Sequence, residues 1–142
     1  MSDIDIAKEN LHGHSICLCR DENIIIDDGK GISPMMKFIA EGRDLCGYSA
    51  ADLIVGKAAA MLFVKAGISE VYGEIMSKAG ADFLIAHDIP FSYGTLTEKI
   101  INRRGDDICP MEKTVAEILD IDAGYEALRN KIMELSGKQP FE

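Results

Sequence analysis

Residues 56–66 read Gly-Lys-Ala-Ala-Ala-Met-Leu-Phe-Val-Lys-Ala. The stretch has the length of a helix, and Gly67 supplies its stop. It is apolar nearly all round, which marks a helix buried in a core rather than one with a wet face. A chain of 142 residues is long enough to hold such a core, since a domain near that size buries roughly 70% of its unfolded surface. No long linker, repeat or low-complexity tract divides the chain, so a single domain over residues 1–142 is the economical expectation. Residues 137–142 are expected to form a loose tail after Gly137.

The rest of the pattern alternates strands with helices. Asp3 to Leu11 predicts a short helix with Ile4, Ala7 and Leu11 on one face. Ser15 to Arg20 and the β-branched run Ile24-Ile25-Ile26 predict a hairpin around Asp21-Glu22-Asn23. Ser33-Pro34 opens a helix, with Ser33 as N-cap, that should run to Glu41 and stop at Gly42. Leu45 to Tyr48 reads as a short extended piece. Glu70 to Met76 predicts a strand, Ser77 to Ala86 a helix and Pro90 to Tyr93 an extended segment. Thr95-Leu96-Thr97-Glu98 matches a capping box and so predicts helix through Ile101, with a strand as second choice. Cys109-Pro110 opens a helix bearing Met111, Val115, Ile118 and Leu119, and Asp122 caps a last helix. The expected fold is α/β: a mixed central sheet with helices packed on its faces.

The charge balance limits partners. A net charge of −9 repels phosphate backbones, so non-specific nucleic-acid binding is not expected, although a local pocket for a small anion is allowed. No apolar run approaches the roughly 18 residues of a membrane span, and the acidic start Met1-Ser2-Asp3 lacks a signal-peptide pattern. A cytoplasmic location is expected, with Cys17, Cys19, Cys46 and Cys109 as free thiols.

Four places could carry chemistry. Gly56-Lys57 stands at a helix start, where free N–H groups and a lysine suit phosphate or carboxylate; the plainer alternative is an ion pair from Lys57 to Asp52 or another carboxylate. Cys109-Pro110-Met111-Glu112 sets a cysteine at a helix start, where the dipole favours the thiolate, with Glu112 placed to cap N–H groups; the plainer alternative is structural. Asn102-Arg103-Arg104-Gly105-Asp106-Asp107 leads into Cys109 and supplies donors and carboxylates, or is a solvated loop. His12-Gly13-His14 with Cys17 and Cys19 has metal-binding residue types without zinc-finger spacing, and core packing explains the cysteines.

Val55-Gly56-Lys57-Ala58-Ala59-Ala60, the polar Ile101-Asn102-Arg103 and the later Cys109-Pro110-Met111-Glu112-Lys113-Thr114-Val115 together resemble an uncharacterised prokaryotic family, domain of unknown function 1893. The resemblance runs from about His14 to Leu119. It implies a three-layer, cytidine-deaminase-like fold, in which two helix N-termini carry zinc ligands as H-x-E and P-C-x-x-C. By that analogy the helices starting at Gly56-Lys57 and at Cys109-Pro110 take those two places. The chain has neither motif, so no metal, no cofactor and no zinc-dependent deamination are expected.

Two functions follow. The first is a site for a small anionic or nucleotide-like ligand, with Gly56, Lys57, Asp52, Asn102 and Arg103 binding and Cys109 and Glu112 nearest to any catalysis. The second is a non-enzymatic scaffold or regulatory protein-binding module, expected to be a homodimer.

Overall fold

The computed structural model describes residues 1–102 and 104–136. Arg103 and the expected tail at 137–142 lie outside the described residues. Helix α1 (Asp3–Asn10) precedes the hairpin of β1 (Ile16–Arg20) and β2 (Asn23–Asp27). Then come α2 (Ser33–Ala40), β3 (Ser49–Val55), α3 (Lys57–Ala66), β4 (Glu70–Ser77), α4 (Lys78–Ala86), β5 (Phe91–Thr97), α5 (Pro110–Val115) and α6 (Ile121–Ser136). The sheet order is β2-β1-β3-β4-β5. β1 is antiparallel to both neighbours, and β3, β4 and β5 run parallel. This is the α/β architecture with a mixed sheet that the alternation predicts.

Two cores flank the sheet. The smaller packs Ile4, Ala7 and Leu11 of α1 on Cys17, Cys19, Ala51 and Tyr72. The larger joins Leu18, Ala50 and Val71 of the sheet to Phe38 of α2, Phe63 of α3, Leu84 of α4, Val115 of α5 and Leu128 of α6. Helix α3 lies inside the larger core: Ala58 to Phe63 are all buried. Its all-round apolar surface is needed because α2, α4, α5 and α6 all pack against it.

Several local expectations need correction. Ser33 is the first residue of α2 rather than its N-cap; Ile32 takes that place, with no side-chain cap bond. Leu45 to Tyr48 form a turn closed by Tyr48 N–H to Leu45 O, and the strand begins at Ser49. Small Ala50 and Ala51 and the acid Asp52 hide that strand from a β-branched pattern. Residues 95–97 extend β5, because Thr95, Leu96 and Thr97 pair with Ile75, Met76 and Ser77 of β4; sheet pairing overrides the capping-box pattern. Helix α5 ends at Val115, so Ile118 and Leu119 fall beyond it. The last helix is capped by Asp120, whose carboxylate accepts from Ala123 N–H at 2.8 Å, and Asp122 instead pairs with Lys65.

Candidate functional site

Gly56 has no side chain to cap α3, yet the helix start is not left open. Glu112, on α5, accepts from Lys57 N–H through Oε1 and from Ala58 N–H through Oε2, both at 2.8 Å. A carboxylate at a helix N-terminus meets unpaired donors and the positive end of the dipole together. Lys57 returns the contact: its Nζ donates to Ala116 O at 3.1 Å, where the carbonyls of α5 run out. A carboxylate on one helix start and an ammonium on the other helix end thus clamp α3 to α5. Gly56 makes the clamp possible, since a Cβ there would collide with the Glu112 carboxylate where it now sits. The spacing places Glu112 to cap its own helix; the fold gives it to α3.

Lys57 therefore makes no ion pair with Asp52. Asp52 is buried on β3, between Ile16 of β1 and Gly73 of β4 in register. Burial pushes its carboxyl up to about 7, against weaker pulls downward from the backbone N–H groups of Ile54 and Leu53. Oδ1 accepts from Ile54 N–H at 3.4 Å.

Asn102 builds the loop that leads to α5. Its Oδ1 accepts from Gly105 N–H at 2.9 Å and Asp106 N–H at 3.2 Å, and its Nδ2 donates to Asp106 Oδ1. Gly105 takes φ +77°, a left-handed turn open to glycine. The loop, α5 and α6 enclose an open cleft of about 440 Å³. Asn102, Arg104, Asp107, Lys113 and Lys131 bring its polar groups, and Ile108, Pro110, Thr114 and Leu135 complete the wall. Lys113 pairs with Asp107, which holds that carboxyl below its ordinary range through the hydrogen bond. Cys109 sits between two wall residues, half-buried, with its N–H bonded to Ile100 O at 2.9 Å.

The predicted site residues thus separate into three places. Gly56, Lys57 and Glu112 meet in the clamp, Asn102 lines the cleft with Cys109 next to its wall residues Ile108 and Pro110 but not itself lining it, and Asp52 lies within the sheet. Arg104, Lys113 and Lys131 complete the cleft. Arg104 lies within the polar run, whereas Lys113 and Lys131 carry no local signal, because only the packing of α6 against α5 brings them together. At the other motif, Cys17 and Cys19 are buried against α1, and burial raises the Cys17 thiol to about 11. His14 pairs with Asp28 at 2.6 Å. Among the described residues no three His, Cys, Asp or Glu side chains converge as metal ligands, and no helix is long and apolar enough to cross a membrane.

No curated protein matches the chain. Among solved structures, a DUF1893 family protein from Thermotoga maritima aligns with a TM-score of 0.77 and 22% sequence identity, over 87% of this chain and 82% of that one. At that identity the likeness speaks for the fold alone. The family model described as domain of unknown function (DUF1893) matches residues 6–132. That span takes in the clamp and nearly all of the cleft, and the chain belongs to the DUF1893 family.

Proposed function

We propose that this protein binds a small anionic, nucleotide-like ligand in the cleft beside α5, on a cytidine-deaminase-like scaffold without a zinc centre. One observation carries the reading: Arg104, Lys113 and Lys131 outnumber Asp107, the one carboxylate lining the same open cleft with Asn102, and their ion pairs to Asp106, Asp107 and Glu134 are exposed ones that a bound anion can replace. Three cations beside one lining carboxylate leave the wall of the cleft net positive in a chain of net charge −9, which favours an anion there. Asn102 Nδ2, which gives one N–H to Asp106 Oδ1, has a second N–H that can donate to a ligand. Cys109 stands in sequence between the wall residues Ile108 and Pro110 and is the thiol candidate for any chemistry there. The scaffold part rests on the sheet order, with β1 alone reversed, and on α3 and α4 each starting where a parallel strand ends. In this reading the protein works in the cytoplasm, where its four thiols stay reduced.

The test is thermal unfolding against nucleotides, nucleosides, sugar phosphates and small carboxylates. A ligand at 100 times its dissociation constant adds about 2.7 kcal/mol. The expected result is stabilisation by a phosphorylated compound, lost in Lys113→Ala and Lys131→Ala. A second reading, the non-enzymatic scaffold, is favoured by the clamp, since Glu112 fills the α3 N-terminus from within. A flat response across the panel would leave the scaffold as the better account.

A further inference from the structure

Strand β5 is the most exposed strand of the sheet. Among the described residues it pairs only with β4, and its other edge has no strand partner there. Ser92, Tyr93, Gly94, Thr95 and Leu96 are exposed in unbroken succession, so residues of both faces reach solvent. Proteins usually blunt such an edge with charge, proline or a bulge. The opposite edge is blunted in that way: β2 ends in Asp27 and is flanked by Asp21, Glu22 and Asp28. Paired with a second copy about a two-fold axis at Ile25, that edge would set Glu22 opposite Asp28 at both ends. β5 reads Phe-Ser-Tyr-Gly-Thr-Leu-Thr and contains no charge.

We infer that β5 is the contact between two copies of this chain, paired antiparallel about a two-fold axis at Gly94. A partner of the same sequence carries net charge −9 as well, and an uncharged strand adds no local repulsion where the two meet. The proposed register sets Tyr93 opposite Thr95 of the second copy and Ser92 opposite Leu96, pairs of aromatic with β-branched and of small with large that suit facing strands. Gly94 at the axis presents no side chain to either copy. Just beyond the strand ends, Asp88 of one copy falls one position from Lys99 of the other, and neither makes an ion pair among the described residues. The two five-stranded sheets join into one.

Sedimentation velocity over a wide range of micromolar concentration decides the matter. The wild-type chain is expected to run at twice its chain mass. Thr95→Lys, or Ser92→Lys should the first variant misfold, puts a lysine on the edge and is expected to raise the dimer dissociation constant by about tenfold or more, with an unchanged circular-dichroism spectrum. Tyr93→Glu alone is expected to be monomeric, and mixing it with Thr95→Lys is expected to restore a heterodimer, because positions 93 and 95 face each other. A wild-type monomer throughout, a folded Thr95→Lys dimer, dissociation by Ile24→Lys on β2 instead, or no heterodimer from the mixture would each overturn the inference.

Discussion

A carboxyl buried in a sheet must either meet a cation or keep its proton, and Asp52 makes no ion pair among the described residues. Its pKa rises from the ordinary 3.8 to about 7. Between those values the unfolded chain has lost this proton and the folded chain still holds it. Folding stability from this group is therefore full below about pH 4 and is lost as pH rises through 7. A tenfold difference in proton affinity between folded and unfolded chain is worth about 1.4 kcal/mol, so the loss amounts to a few kcal/mol over the window. Asp52→Asn, neutral throughout, should remove that slope. Urea unfolding at pH 5 and pH 8 should show the variant gaining on the wild type as pH rises; a constant difference would mean that Asp52 is ionised in the fold. Glu112 makes a second residue-scale test. Glu112→Ala leaves Lys57 and Ala58 N–H without their acceptor and should cost about 1–3 kcal/mol. Acetate or phosphate should recover part of that loss by taking the vacated helix start. Equal stability of wild type and variant would show that the clamp adds nothing.

At the scale of elements, close backbone approach outranks propensity. Gly80 lies in α4, where alanine ordinarily gains about 1 kcal/mol over glycine. A Cβ at Gly80 would stand 2.9 Å from Val55 O and 3.0 Å from the Gly56 carbonyl carbon, both backbone atoms that cannot swing away. Overpacking of this kind costs about 1–3 kcal/mol, so Gly80→Ala should lower the melting temperature; a higher one would show that α4 can slide away from the β3–α3 junction. The same contrast separates what is legible in the sequence from what is not. Helix α3 is legible because its apolar run and Gly67 are local, and Gly67 ends it at φ +78°. Strand β3 is hidden, although it is the middle strand, because Ala50, Ala51 and Asp52 take their burial from neighbours far away in the chain. The end of β5 reads as helix because only pairing to β4 decides residues 95–97. The clamp joins Lys57 to Glu112 across 55 positions, and no spacing rule reaches that far. Local pattern marks Gly56 and Glu112 as chemical candidates, but their contact comes only from folding.

Across the whole molecule, the order of burial sets an order of opening. Residues 58–63 of α3 are buried and packed against α2, α4, α5 and α6. β3 has a partner strand on each side, whereas β5 has one, and its middle five residues are exposed. Amides protected on all sides exchange only when the protein unfolds globally, and those with few covering contacts exchange through local opening. Hydrogen exchange on dilute protein should therefore find α3 and β3 slowest, at the free energy of global unfolding, with β5 faster and insensitive to mild denaturant. Raising the concentration should slow β5 alone if two copies pair there, because a second strand satisfies the edge groups and covers Tyr93 and Leu96 without touching α3. If β5 matched α3 in dilute solution, the sheet would open as one unit, and exposure of a strand would be a poor guide to its local stability in this fold.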